Sequence, residues 1–109
     1  MPRPRIPDTV KTQVAERIAA FNHQVLPDPH VCYRPRYQGA FLYLDRDDYG
    51  HVGRICRLTY TGALDAWDFA IYKYSDERYD PDEWFFPGAE LVDGTIEGAL
   101  RAGLAAYPP

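Results

Sequence analysis

The sequence predicts a single α+β domain in which an antiparallel, four-stranded meander is flanked by an N-terminal and a C-terminal helix. Three observations predict this class. Apolar residues recur at helical spacing near both ends of the chain, four segments between residues 31 and 75 alternate in polarity, and the short connections favour antiparallel neighbours. Because 109 residues is the length of one domain, we expect a flexible lead-in at residues 1–7 and a single domain at residues 8–109.

The two helices are indicated by apolar stripes and by signals at their ends. Asp8 is a favourable N-cap for the first helix, and Pro27 ends it. Gly94-Thr95 opens the last helix, in which each glycine costs about 1 kcal/mol relative to alanine unless close packing requires it. The first stripe consists of Val10, Val14, Ile18, Phe21 and Val25, and the last of Ile96, Leu100, Leu104 and Tyr107.

Between the helices, alternation predicts strands at residues 31–37, 40–45, 54–61 and 66–75. Pro35 has no amide hydrogen, which places the first strand at an edge of the sheet. The predicted connections are a turn at Gln38-Gly39, a polar loop at residues 46–53 and a tight loop at residues 62–65. After the strands, Asp80-Pro81 is interpreted as the start of a short helical turn.

Strand register follows from the requirement that one face of the sheet be apolar. Pairing Leu58 with Phe69 and Cys56 with Ile71 achieves this for the last two strands, and pairing Leu42 with Cys56 extends the same face. The other members of this core face are Val31, Tyr33, Tyr37, Ala40, Leu44, Tyr60 and Trp67. We expect the stripe of the first helix to cover it.

The opposite face of the predicted sheet interleaves arginines with aromatic residues. Both are enriched at contact surfaces, and arginine can pair with carboxylate or phosphate and stack on rings. The same alternation assigns Ile55, Thr59 and Ala70 to this side. We define the Arg/aromatic face, the candidate binding surface, as Arg34, Arg36, Phe41, Tyr43, Arg57, Asp68, Tyr72 and Tyr74.

Charge and cysteine content narrow the classes of function. The formal net charge is −4, with nine Lys/Arg against six Asp/Glu in residues 1–60 and three against ten in residues 61–109, a balance that opposes nucleic-acid binding. The first residues lack the apolar core of a secretory signal, and no apolar run approaches the ~18 residues of a membrane span. We therefore expect a cytoplasmic protein with no membrane partner, in which Cys32 and Cys56 are free thiols.

Catalytic and metal-binding patterns are weak. The single serine, Ser75, lacks the glycines of a nucleophile elbow. Residues 45–56 begin like a calcium loop but carry cysteine where the loop requires glutamate, and His30 with Cys32 does not make a zinc site. We expect no metal and no cofactor, and an enzyme that uses Asp68 or a histidine as general base is the weakest alternative.

The sequence therefore favours a noncatalytic interaction module of unknown specificity that acts through the Arg/aromatic face. Three occupants could shield that face: a second copy of the chain, the acidic segment at residues 76–93, or a ligand such as a small anion, an aromatic compound or nucleic acid. We favour the homodimer. If the acidic segment covers the face, its acids neutralise the arginines, and Trp84, Phe85 and Phe86 cap the rings.

Overall fold

In the computed structural model, which describes residues 4–109, two helices pack on one side of a five-stranded antiparallel sheet. The helices are α1 (Asp8–Gln24) and α2 (Ile96–Ala106). The strands are β1 (Val31–Gln38), β2 (Phe41–Asp48), β3 (His51–Thr59), β4 (Asp68–Lys73) and β5 (Arg78–Asp80), and they lie in chain order across the sheet. The α+β class and the antiparallel meander are confirmed, whereas the expected number of four strands is wrong by one.

The N-terminal helix forms where the apolar stripe predicts it. Val14, Ile18 and Phe21 are its buried residues. Pro7, not Asp8, occupies the N-cap position, and no side chain caps this end of the helix. Asp8 lies in the first turn instead, where its negative charge faces the positive end of the helix dipole.

The lead-in is anchored to the sheet shortly before α1. Ile6 is buried, and its N–H donates to the carbonyl of Gly39 at 3.2 Å. The sequence predicted a flexible lead-in at residues 1–7, and it did not predict this contact. Residues 1–3, which belong to the same expectation, lie outside the residues that the structure describes.

The outer edge of β1 is held by a side chain of α1. The amide of Asn22 donates to the carbonyl of Tyr33 at 3.1 Å, and its oxygen accepts from the N–H of the same residue at 2.9 Å. β1 is the first strand of the sheet, so the edge position expected from Pro35 is confirmed.

The C-terminal helix approaches the sheet closely at one glycine. Thr95 caps α2 as predicted, since its hydroxyl oxygen accepts from the N–H of Gly98 at 2.9 Å. A Cβ placed on Gly103 would lie 2.5 Å from Cγ2 of Ile55 and 2.6 Å from the hydroxyl oxygen of Tyr33. Both distances are far below van der Waals contact, so this position requires glycine for the helix to pack as it does.

The polar loop expected at residues 46–53 is wrong. β2 continues to Asp48 and β3 begins at His51, and the two strands are joined by Tyr49-Gly50. Both turn residues have positive φ, 56° and 89°, the conformation that matches the twist of a tight hairpin. The many charged residues in this segment therefore led to the prediction of a loop where a regular hairpin forms.

The burial of Arg46 with hydrogen-bond partners allows this charged stretch to continue as a strand. Its side chain is 2% exposed and points to the helix side of the sheet. The guanidinium donates to Asp48 at 2.8 Å, to the hydroxyl of Tyr33 at 3.4 Å and to the carbonyl of Tyr107. A buried arginine with these partners joins the hairpin to the end of α2.

The predicted register holds for the last hairpin and is shifted in the one before it. Leu58 pairs with Phe69 and Cys56 with Ile71, as predicted. Leu42 pairs with Leu58 and not with Cys56, a shift of two residues. Because side chains alternate with a period of two, this shift by itself moves no residue to the other face.

Two details of the sheet differ from the alternation pattern. Leu44 pairs with Cys56 and Asp45 with Arg54, so Ile55 is an additional residue in a β-bulge. The bulge buries Ile55 against α2, and its predicted place on the opposite face is wrong. The first turn is also displaced by one residue, because Gln38 is the last residue of β1.

The acidic segment covers only part of the Arg/aromatic face. It forms β5, which pairs Tyr79 with Tyr72 at the edge of the sheet, and the Tyr79 ring lies 5.7 Å from the guanidinium of Arg57. A single turn follows, in which the N–H of Glu83 donates to the carbonyl of Asp80 at 3.4 Å. Trp84 and Phe86 place their rings 5.9 Å from that of Phe69, a member of the core. The acids of the segment pair with Lys73 and Arg78, so the expected neutralisation of the arginines of the face is wrong, whereas one residue of the segment, Tyr79, does cover part of the face.

No helix within residues 4–109 is long and apolar enough to cross a membrane. Cys32 and Cys56 are free thiols, the first partly exposed and the second buried. Burial raises the pKa of the Cys56 thiol, so the sulfur stays protonated at neutral pH.

Candidate functional site

The Arg/aromatic face crosses four strands of the sheet and carries no helix. Both helices pack against the other side, through the core cluster. The paired residues Arg36, Tyr43, Arg57 and Ala70 form one row from β1 to β4. Seven of the eight predicted site residues lie on these strands, and Tyr74 follows the end of β4.

Arg36 and Arg57, the two arginines of this row, lie over aromatic rings on the same side of the sheet. The guanidinium carbon of Arg36 lies 4.4 Å from the centre of the Tyr43 ring. That of Arg57 lies 4.6 Å from the centre of Phe41 and 5.7 Å from that of Tyr79. These distances are in the range of cation–π attraction, which fixes the planes of both arginines.

Two arginines of the face are paired with aspartates of the neighbouring strand. Arg34 contacts Asp47 at 2.7 Å, and Arg36 contacts Asp45 at 3.1 Å. The hydrogen bond that Arg36 donates to Asp45 raises the pKa of Arg36 further, so its charge is permanent. The sequence analysis identified neither aspartate. In both pairs the aspartate lies on β2, two residues beyond the residue that pairs with the arginine in the sheet.

Arg57 differs from the other arginines. Its Nε is buried and has no hydrogen-bond partner within the part of the chain that the structure describes. The nearest acidic residue by register is Asp68, which is exposed on β4 two residues before Ala70, the partner of Arg57. No ion pair joins Arg57 to Asp68 among residues 4–109.

Tyr72 and Tyr74 mark the far end of the face. The Tyr72 ring is buried between Tyr79 and Tyr74, with centroid distances of 4.9 and 4.8 Å. Tyr74 turns away from the row, and its hydroxyl donates to the carbonyl of Arg54 at 2.7 Å. The guanidinium of Arg54 lies 5.5 Å from the Tyr72 ring, so this arginine also belongs to the surface.

Arg54 and Tyr79 were missed for different reasons. Strict alternation puts Arg54 on the core side, and the bulge reverses it; the consecutive apolar residues Ile55 and Cys56 are the one signal of that bulge. Tyr79 lies in a strand of three residues, too short for alternation to show.

Charge on this side of the sheet is nearly balanced. Within residues 4–109 it carries four arginines against three aspartates: Arg34, Arg36, Arg54 and Arg57, with Asp45, Asp47 and Asp68. A pocket of about 250 Å³ opens where Arg57 and Asp68 meet Trp84. In the same range of residues, no group of three or more His, Cys, Asp or Glu side chains is placed to hold a metal ion.

Comparisons with models of protein families, with curated proteins and with solved structures found no match for this chain. The function must therefore be inferred from the geometry and charge of the surface. Stacked arginines, aromatic rings and aspartates on a sheet face that carries no helix can bind another surface by contact.

Proposed function

We propose that the protein is a noncatalytic interaction module and that its Arg/aromatic face is the interface of a homodimer. The observation that supports this is a sheet face without a helix, on which arginines stack on aromatic rings. Arginine and tyrosine are enriched in the cores of protein interfaces.

The balance of charge favours a second copy of the chain over a polyanion. Four arginines against three aspartates leave almost no net charge to attract nucleic acid within the described residues. In a two-fold symmetric interface the same pair of residues meets twice. Arg57 of each copy then contacts Asp68 of the other, which supplies a carboxylate to an arginine that has none.

The size of the face sets the expected strength of the dimer. The four strands that the Arg/aromatic face crosses, spaced about 4.8 Å apart and paired over about six residues, span roughly 19 by 20 Å. Two such faces bury on the order of 800 Å², below the usual size of a specific interface. We therefore expect a dimer that dissociates on dilution.

Sedimentation velocity over micromolar to millimolar concentrations tests this proposal. Arg57→Glu and Asp68→Arg should each shift the protein toward monomer, and the double variant should restore the dimer because it re-forms the ion pair with reversed charges. Arg101→Glu, at an exposed position of α2, is the matched control and should leave the dimer unchanged. A wild-type chain that stays monomeric throughout, or a dimer that survives Arg57→Glu, contradicts the proposal.

A second candidate is the binding of a small anionic, aromatic compound. The pocket beside Arg57 and Trp84 favours it, since it combines a cation with an indole wall in about 250 Å³. This candidate requires a monomer whose melting temperature rises on addition of benzoate. Loss of that rise in Arg57→Gln would identify the arginine as the anion site, and its persistence would exclude it.

A further inference from the structure

A separate cavity of about 390 Å³ opens between the end of β4, residues 83–87 and the end of α2. Its walls include four aromatic side chains, Tyr74, Phe85, Phe86 and Tyr107, with Glu83 and Lys73 beside them. We propose that this cavity binds a quaternary ammonium group, the head of a choline-like molecule or of a trimethylated lysine. The proposal does not depend on the homodimer.

Two of the aromatic walls are held in fixed orientations. The rings of Tyr74 and Tyr107 are 5.4 Å apart and nearly perpendicular, at 88°. The hydroxyl of Tyr74 donates to the carbonyl of Arg54, and that of Tyr107 donates to the carbonyl of Tyr72. Because the two rings are perpendicular, their faces can surround a bulky cation. Because they are already held in place, binding costs little entropy.

The lining of the cavity also includes Phe85, an apolar side chain that the fold does not use. Phe85 is 100% exposed, while its neighbour Phe86 packs on the core ring of Phe69. The N–H of Phe85 donates to the carboxylate of Glu83 at 3.0 Å, which fixes the backbone at this point. A bound methylated cation would bury the Phe85 ring that otherwise faces water.

The lysine beside the cavity is neutralised by carboxylates. The ammonium of Lys73 lies 3.3 Å from Asp76, 3.7 Å from Asp80 and 3.4 Å from Glu83. Of these residues, Lys73 and Glu83 line the cavity, and their charges balance. The lysine therefore adds no net positive charge that would oppose a cationic ligand.

A methylated ammonium fits these walls better than a primary ammonium. A primary ammonium needs hydrogen-bond acceptors to replace its water, and the carboxylate of Glu83, which lines the cavity, already accepts from Lys73 at 3.4 Å and from the N–H of Phe85 at 3.0 Å. A quaternary ammonium needs no acceptor and buries its methyl groups. The cavity volume of about 390 Å³ lies within the ordinary range of small-molecule sites, roughly 300–1,000 Å³.

Isothermal titration calorimetry of the whole chain tests the proposal with two paired probes. Choline should bind, and 3,3-dimethylbutan-1-ol, its neutral isostere, should bind at least about tenfold more weakly because it lacks the charge. A parallel titration with N-ε-trimethyl-lysine distinguishes the two sources of a quaternary ammonium group, because the cation that binds more tightly is the better match for the cavity. Equal affinity for choline and its neutral isostere, or no binding of either cation in the millimolar range, overturns the proposal.

Variants separate the cavity from the rest of the surface. Phe85→Ala removes a side chain with no role in the core and should lower choline affinity about tenfold without lowering the melting temperature. Tyr74→Leu should lower it as well. Tyr49→Leu, at an exposed turn tyrosine away from the cavity, is the control. Unchanged affinity in Phe85→Ala contradicts the site, whatever the oligomeric state.

Discussion

Replacing Gly103 with alanine should destabilise the protein, against the usual effect of this change in a helix. An alanine at a free helical position is favoured over glycine by about 1 kcal/mol. Here the added Cβ meets Ile55 at 2.5 Å and the Tyr33 hydroxyl at 2.6 Å, on the surface where α2 touches the sheet. Neither atom is the end of a flexible chain in open solvent, because both residues are buried.

The magnitude follows from the displacement that the methyl group forces. Carbon contacts are favourable near 3.5–4.0 Å, so each neighbour must move by roughly 1 Å. Overpacking of this kind costs about 1–3 kcal/mol. The hydrogen bond from Tyr33 to the carbonyl of Leu100, at 2.7 Å, would be strained as well, at about 1 kcal/mol. After subtraction of the helical gain, we expect a net loss of about 2 kcal/mol, or roughly 8–16 °C in melting temperature.

Thermal unfolding of four proteins measures this effect: wild type, Gly103→Ala, Tyr33→Phe and the double variant. Removal of the Tyr33 hydroxyl relieves one of the two close contacts, so the double variant should lose less stability than the sum of the single losses. A Gly103→Ala protein that melts higher than wild type, or strict additivity in the double variant, would refute the reasoning.

The thiols and the cap of α2 supply two more tests. Iodoacetamide should alkylate Cys32 in the native protein and spare Cys56, whose buried thiol has a raised pKa; mass spectrometry that finds native Cys56 modified would contradict its burial. Asp93→Ala removes the acceptor for the hydroxyl and N–H of Thr95, and these hydrogen bonds lower the pKa of Asp93. Because the folded pKa is the lower one, the stability they provide is present above the ordinary value of 3.8 and is lost as the pH falls through the folded pKa. The difference in melting temperature between wild type and Asp93→Ala should therefore shrink in acid, and a constant difference at all pH values would exclude this linkage.

The parts of the fold that could be predicted are those that a repeated pattern specifies. The stripe of α1 repeats over four turns, and the pairs Leu58–Phe69 and Cys56–Ile71 lie in long alternating segments. A shift of two residues in one register did no harm to the assignment of faces, because alternation fixes parity and not position.

The parts that could not be predicted depend on single tertiary contacts. Arg46 gives a polar segment a buried partner, which no local pattern can show. The bulge at Ile55 reverses the side of the sheet on which Arg54 lies. β5 has only three residues and lies in a strongly acidic segment of the sequence. The central residues of the candidate face and Asp68 were therefore predicted, while Asp45, Asp47, Arg54 and Tyr79 were found only from the structure.

The clamp of Asn22 on β1 has a consequence for how copies of this chain can meet. An edge strand with free N–H and C=O groups invites another strand to join it, and such growth leads to open-ended aggregates. Here one side chain occupies both groups of Tyr33, and Pro35 two residues later has no N–H to offer. Extension of the sheet by another strand is thereby blocked at β1, so the proposed homodimer would not form by pairing of this edge.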